Sequence, residues 1–265
     1  MYDFAYQKPS NLADAVKALG ADPDAKALAG GMTLLPTMKQ RLASPSALIE
    51  LKDVPELSGL AREGDALVIG AMTRHAEVAR GPVVKAAIPA LANLAAGIGD
   101  PHVRNRGTIG GSIANNDPTA DYPAAALALG ATITTDKRRI AADDFFKGLF
   151  ETALEPSELI TKVSFPIPQK AAYMKFPNPA SRYAIVGVFV AKTTGGVRVA
   201  VTGAGANGVF RASAFESALN GNFFPSAIER TAASPDGLSS DIHADADYRA
   251  HLIGVMARRA VAAAG

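Results

Sequence analysis

The sequence has no cysteine in its 265 residues. That excludes disulfides, thiolate zinc sites, a cysteine nucleophile and a cysteine-ligated iron–sulfur cluster on this chain. Its four histidines, His75, His102, His243 and His251, are too scattered to suggest a histidine metal site. Excess charge is also lacking. The 27 lysines and arginines against 25 acids leave a net charge of +2, too little for a protein that works on phosphate backbones, so no nucleic-acid partner is expected. No apolar run reaches about 18 residues, so no membrane span is expected. The opening MYDFAYQKPS lacks a charged-then-apolar leader, and a cytoplasmic protein is the resulting expectation. G-x-x-x-x-G-K-S/T and G-x-S-x-G are both missing, which removes a nucleotide-hydrolysis loop and a nucleophile elbow.

What remains is a globular composition, 48% hydrophobic and 20% charged. At about 150 residues per domain the length allows one large or two modest domains. Short helices and strands alternate. Asn11 is a cap for a helix with Leu12, Val16 and Leu19 on one face and Gly20 as its stop. Ala47–Leu51 and Ala66–Ile69 read as strands, and Thr73 as the cap of a helix running to Arg80. Pro89 opens a helix closed by Gly97. Ala124–Leu129 reads as a helix stopped by Gly130, and 132–135 with 139–141 as a hairpin. The strand Leu159–Phe165 ends at Pro166 and Pro168, the predicted boundary. Beyond it lie strands at 171–176, 184–192 and 197–202, then a helix capped by Ser213 and another capped by Asp245 or Asp247. The fold class is therefore α+β, with a first domain over 1–168 and a smaller antiparallel sheet with helices over 169–265.

Two glycine-rich loops stand out. In the first, Ala29-Gly30-Gly31-Met32-Thr33-Leu34, adjacent glycines let successive N–H groups point into one concavity, a nest that attracts an anion without a basic side chain. Thr33 adds a hydroxyl, and a helix starting near Leu34 reinforces the positive potential. The second loop, Arg104 to Ser112, repeats paired glycines at Gly110 and Gly111, flanked by Thr108 and Ser112. Two such nests on one ligand suit a pyrophosphate; taken singly, a Gly-Gly pair is more often a turn than a phosphate site.

At these residues a resemblance emerges. AGGMTLLPTMKQRLASPSALIEL resembles the first FAD-binding segment of the flavoprotein (medium) subunits of molybdenum hydroxylases, the relatives of carbon monoxide dehydrogenase and xanthine dehydrogenase. IGDPHVRNRGTIGGSIANNDPTADYPAAALALGA resembles their second segment more closely still. KFPNPASRYAIVGVFVA and DYRAHLIGVMARRAV resemble the start and the last helix of their C-terminal domain. The match keeps its order over nearly the whole chain.

The resemblance implies an FAD-binding domain of the p-cresol methylhydroxylase type, made of two α+β subdomains, followed by the C-terminal domain. It puts Ala29, Gly30, Gly31, Met32, Thr33 and Leu34 on the first pyrophosphate loop and Thr108, Gly110, Gly111 and Ser112 on the second. It puts Asp121 on the acidic position that contacts the flavin nucleotide. Ile160 and Lys175 fall near the isoalloxazine, and Tyr183 on an aromatic position over or beside that ring. Met32 departs from the polar residue often found there, and His102 stands where glutamine is common. No residue is implied as catalytic and none as a metal ligand. The implied function is FAD-mediated electron transfer from clusters on a small iron–sulfur subunit, fed by a large molybdenum-cofactor subunit, to an external acceptor. The missing cysteines agree, since 2Fe-2S clusters must then sit on a partner. A stand-alone FAD-dependent oxidase or reductase, and a flavin-free assembly subunit, are the alternatives.

On their own terms these residues keep second roles open. Asp121 accepts from ribose hydroxyls or caps the following helix. Lys175 is a charge beside the flavin's pyrimidine end or an edge lysine in solvent. Tyr183 stacks on a ring or packs on the second sheet. Arg104 and Arg106 reach phosphate, or a partner, or are loop charges. Lys137-Arg138-Arg139 and Asp143-Asp144 read as solvated surface. Gly203-Ala204-Gly205-Ala206-Asn207-Gly208 satisfies G-x-G-x-x-G, but it follows a hairpin strand rather than a crossover strand, so a turn is expected.

Overall fold

The computed structural model describes every residue from Met1 to Gly265. The chain opens with β1 (Ala5–Gln7), α1 (Leu12–Gly20), β2 (Lys26–Leu28), α2 (Leu34–Lys39) and β3 (Ala47–Glu50). The three strands form a parallel sheet in the order β1-β3-β2. Asn11 caps α1 by accepting the Asp14 N–H at 2.8 Å. The buried face of that helix, Ala15 and Leu19, packs with Ala47 and Ile49 of β3.

β4 (Leu60–Glu63) and β5 (Ala66–Gly70) begin a second sheet, and six helices follow. These are α3 (His75–Arg80), α4 (Pro82–Ala87), α5 (Pro89–Ala96), α6 (Pro101–Arg106), α7 (Ile109–Asn115) and α8 (Tyr122–Leu129). After the hairpin β6 (Thr132–Thr135) and β7 (Arg139–Ala141) come α9 (Ala142–Phe145), β8 (Phe146–Gly148) and β9 (Glu151–Thr152). β10 (Ile160–Pro166) then inserts between β5 and β6, completing an antiparallel sheet of order β4-β5-β10-β6-β7.

The last third forms a second antiparallel sheet from β11 (Lys170–Pro177), β12 (Ala184–Thr193), β13 (Gly196–Thr202) and β14 (Phe210–Arg211). α10 (Ser213–Gly221) and α11 (Ala246–Ala264) cover one face, where Val186, Val188, Val190, Val199 and Val201 meet Phe215, Ile253 and Met256. The opposite face carries Phe189, Ala191 and Ala200 into the core of the five-stranded sheet and its helices. α8 lies between the two sheets with all eight residues buried, which its run of alanines and leucines permits.

Two local expectations change, and two surface charges gain partners. The cap of α3 is Arg74, whose N–H donates to Glu77 at 2.8 Å, while Thr73 turns its hydroxyl onto the Gly59 carbonyl. Ser213 is the first residue of α10 and makes no cap bond. Arg138 is exposed as expected, but it also donates twice, at 3.0 Å, to Glu158, a buried residue. Asp143 likewise accepts from Arg198 at 2.7 Å.

Candidate functional site

The first glycine loop leaves the C-terminal end of β2 and runs into α2, the place where open parallel sheets receive ligands. Gly31 sits at φ +71°, in the left-handed region that favours glycine. The backbone N–H groups of Gly30, Gly31, Met32, Thr33 and Leu34 donate to no acceptor in the chain. Five successive free donors at the head of a helix make a cradle for an anion.

The second glycine segment does not repeat this device. Thr108 caps α7 by accepting the Gly111 N–H, and Ile109 and Gly110 donate to the carbonyls of Thr73 and Ala71 at 3.1 and 2.8 Å. Ser112 donates to the Thr108 carbonyl. The segment is thus the first turn of a helix with its amides engaged, not a second nest. Gly110 is glycine for packing, since a Cβ there would lie 2.6 Å from Ala71 Cβ and 2.7 Å from its carbonyl oxygen.

The two segments nonetheless meet. A Cβ on Gly30 would collide with the Arg106 carbonyl and lie 2.7 Å from Gly107 Cα, so these backbones are in direct contact. Between and around them lies a cavity of about 940 Å³, at the upper end of the roughly 300–1,000 Å³ usual for ligand sites. Ala29, Gly30, Gly31, Met32, Thr33, Leu34, Thr108, Gly110, Gly111, Ser112, Asp121, Ile160 and Tyr183 all line it. Lys175 alone of the expected residues does not.

Ile160 and Lys175 have different surroundings. Ile160 continues from the turn Glu155–Leu159, where Ser157 donates to the Leu19 carbonyl beside α1. Lys175 on β11 donates to the Gly97 carbonyl at 2.8 Å and pairs with Asp121 at 3.1 Å. Asp121 does not cap α8. It is buried and accepts from both Lys175 and the Tyr173 hydroxyl. Burial pushes the Asp121 carboxyl above its ordinary range, against the pull of Lys175 and Tyr173. Tyr173 has room because Gly187, on the neighbouring strand, carries no Cβ in the path of its hydroxyl. Arg104 is spent on the turn before α6, donating to the Ile98 and Gly99 carbonyls at 2.9 Å.

Sequence reasoning missed several lining residues. His75 is buried at the cavity wall, its Nδ1 has no partner, and its ring lies 5.4 Å from that of Tyr122, whose hydroxyl is also buried and unpartnered. Burial pushes the imidazole down to about 4, helped by nearby Arg104. Asn115, Asp117, Phe150, Ser181 and Arg182 also line the cavity. No motif marks them, and only tertiary folding collects them. The G-x-G-x-x-G segment is a turn docked elsewhere, with the Gly203 N–H donating to the Pro118 carbonyl and Gly205 bridging to Leu238.

A cavity of this size, with a five-amide cradle at its wall, fits a dinucleotide carrying a diphosphate. The family profile described as "FAD binding domain in molybdopterin dehydrogenase" matches residues 2–168, and the chain belongs to that family. It is an oxidoreductase subunit with an FAD-binding domain. Similarity extends over the rest of the chain as well. The carbon monoxide dehydrogenase medium chain of Hydrogenophaga pseudoflava is 36% identical over 98% of this chain and 96% of its own length. The nicotine 6-hydroxylase medium subunit of Paenarthrobacter nicotinovorans is 37% identical, with the same coverage of both. Among solved structures, quinoline 2-oxidoreductase from Pseudomonas putida 86 superposes with a TM-score of 0.89 at 31% identity, covering 99% of this chain and 97% of that one. The chain is thus an FAD-binding medium subunit of the molybdenum hydroxylase family. No helix is long and apolar enough to cross a membrane.

Proposed function

We propose that this chain passes electrons from iron–sulfur clusters of a small partner subunit, through FAD, to an external acceptor, while a large molybdenum-cofactor subunit oxidises the substrate. The observation that carries this reading is the run of free amides from Gly30 to Leu34, facing a cavity that also takes in the Gly107–Ser112 turn. These amides would hold the diphosphate, with the hydroxyls of Thr33 and Ser112 as further donors. Asp121 would face the nucleotide with its charge balanced by Lys175, so that pair presents little net charge to the ring. Tyr183, half exposed at the cavity edge, would bound the ring. Residues 1–168 would supply the diphosphate cradle, and 169–265 the side that carries Lys175 and Tyr183.

FAD supplies two-electron redox chemistry when bound. The chain's own part is to bind it, orient it and limit its contact with water. With no cysteine on this chain, cluster ligands must come from another one.

The test is purification of the chain alone and with its co-purifying partners, followed by visible spectra, metal analysis and turnover. The expected result is a yellow chain without iron or molybdenum, a complex containing both, and substrate oxidation only by the complex. Oxidation of substrate by the isolated yellow chain would establish the stand-alone enzyme instead. A chain that stays colourless with added FAD would leave only an assembly role.

A further inference from the structure

The hairpin β8–β9 reaches the cavity with its tip, Leu149–Phe150. Phe150 stands at φ +55°, a conformation that strains a bulky side chain. It is also 60% exposed, so core packing does not account for the strain. Strained residues persist where surrounding structure over-determines them, and they gather at functional sites.

The over-determination is visible. Asn116, buried and itself at φ +43°, donates through Nδ2 to the carbonyls of Gly148 and Glu151 at 2.8 and 2.9 Å, clasping the hairpin on both sides of its tip. The Phe150 N–H donates to the Asn116 carbonyl at 3.2 Å. A second exposed aromatic is presented to the same cavity in a similar way. Tyr183 is 48% exposed and follows Arg182 at φ +63°. Its loop is held by Asn178, which accepts the N–H groups of Ala180 and Ser181. Asp117, next to Asn116, lines the same cavity as both aromatic tips. Two exposed rings, each delivered by a strained turn fixed by a buried asparagine, are more than surface variation requires.

We propose that Phe150 is a second aromatic wall at the mouth of the cavity, acting with Tyr183 to shield a bound planar ring from small solutes and so to set which external acceptors reach it. This rests on the FAD reading above. Phe150 would touch the cofactor rather than the partner subunits.

The test uses the full-length chain loaded with FAD and compares Phe150→Gly, Phe150→Tyr and Tyr183→Ala with wild type. Iodide quenching of flavin fluorescence reports ring access, and thermal melting of the FAD-free chain reports the structural cost. Phe150→Gly is expected to raise the quenching constant at least threefold while melting no lower than wild type, because glycine relieves the positive φ. Phe150→Tyr should quench like wild type, and Tyr183→Ala should resemble Phe150→Gly. Unchanged quenching in Phe150→Gly would overturn the proposal, as would a lowered melting temperature accompanied by loss of FAD, which would make the ring a structural prop. Loss of partner assembly with wild-type quenching would reassign Phe150 to a docking surface. A wild-type chain that binds no FAD would defeat the underlying reading, an outcome separate from all of these.

Discussion

The buried imidazole of His75 makes stability depend on pH in a way one substitution can isolate. In the folded chain it titrates near 4 rather than at its ordinary 6.5, because burial penalises the cation and Arg104 adds to the penalty. The unfolded chain therefore takes up this proton first as pH falls. Stability from His75 is fully present above about pH 6.5 and is lost progressively as the pH drops to 4. At about 1.4 kcal/mol per tenfold change, the whole effect is about 3 kcal/mol, with about 2 kcal/mol of it lost between pH 7 and pH 5. His75→Leu removes the titration and also the unpartnered Nδ1, so it should cost little at pH 7. The assay is urea unfolding of the FAD-free chain at pH 7, 6 and 5 for both proteins. The difference between them cancels every other group, including Asp121. The stability advantage of His75→Leu should grow by about 2 kcal/mol from pH 7 to pH 5. An advantage that does not change with pH would show that the imidazole is solvated or paired, and the reasoning would fail.

Two further outcomes are expected. Gly30→Ala places a Cβ 2.7 Å from Gly107 Cα, where ordinary contact begins at 3.4 Å, and nearer still to the Arg106 carbonyl oxygen, so the two segments must part by more than the ~0.7 Å that the first contact alone requires. FAD affinity measured by fluorescence titration should fall tenfold or more, whereas Gly110→Ala, which strikes Ala71 instead, should mainly lower the melting temperature. Equal FAD affinity in Gly30→Ala and wild type would show that the closeness of the segments is irrelevant to binding. Arg138→Met should lower stability at pH 7 without unfolding the chain, because it strips two donors from a buried carboxylate to which Thr135 and the Glu155 amide still donate. Burial raises the Glu158 carboxyl, but its donors together carry it down to about 2 from 4.5. The stabilisation is therefore present above pH 4.5 and fades toward pH 2, and comparable unfolding curves for Arg138→Met and wild type at pH 7 would refute it.

Much of this fold was legible in the sequence because its signals are local. Asn11, Pro89, Gly97 and Gly130 mark helix ends, and Asp245 caps α11 by accepting the Tyr248 N–H. The misses have identifiable causes. β1 is exposed along its length and offers no alternation to read. α7 was hidden because Gly110 and Gly111, poor helix formers, sit in its first turn. The packing on Ala71 that demands glycine there cannot be seen from the chain alone. The first loop showed its chemistry through adjacent glycines. The second showed the same letters for a different reason, and only the pairing of its amides distinguishes them. Arg138 looked like a hairpin charge because its partner Glu158 is 20 residues away.

The carboxylate of Asp121 draws its counter-charge from across the fold: both donors to it, Tyr173 and Lys175, stand on β11, beyond the stretch covered by the family profile. Cutting the chain at the proline pair would thus do more than shorten it. The amino-terminal portion would lose both donors to that carboxylate and expose its apolar helix α8 to water. A fragment ending at Pro168 is therefore expected to need the missing portion added back as a separate polypeptide.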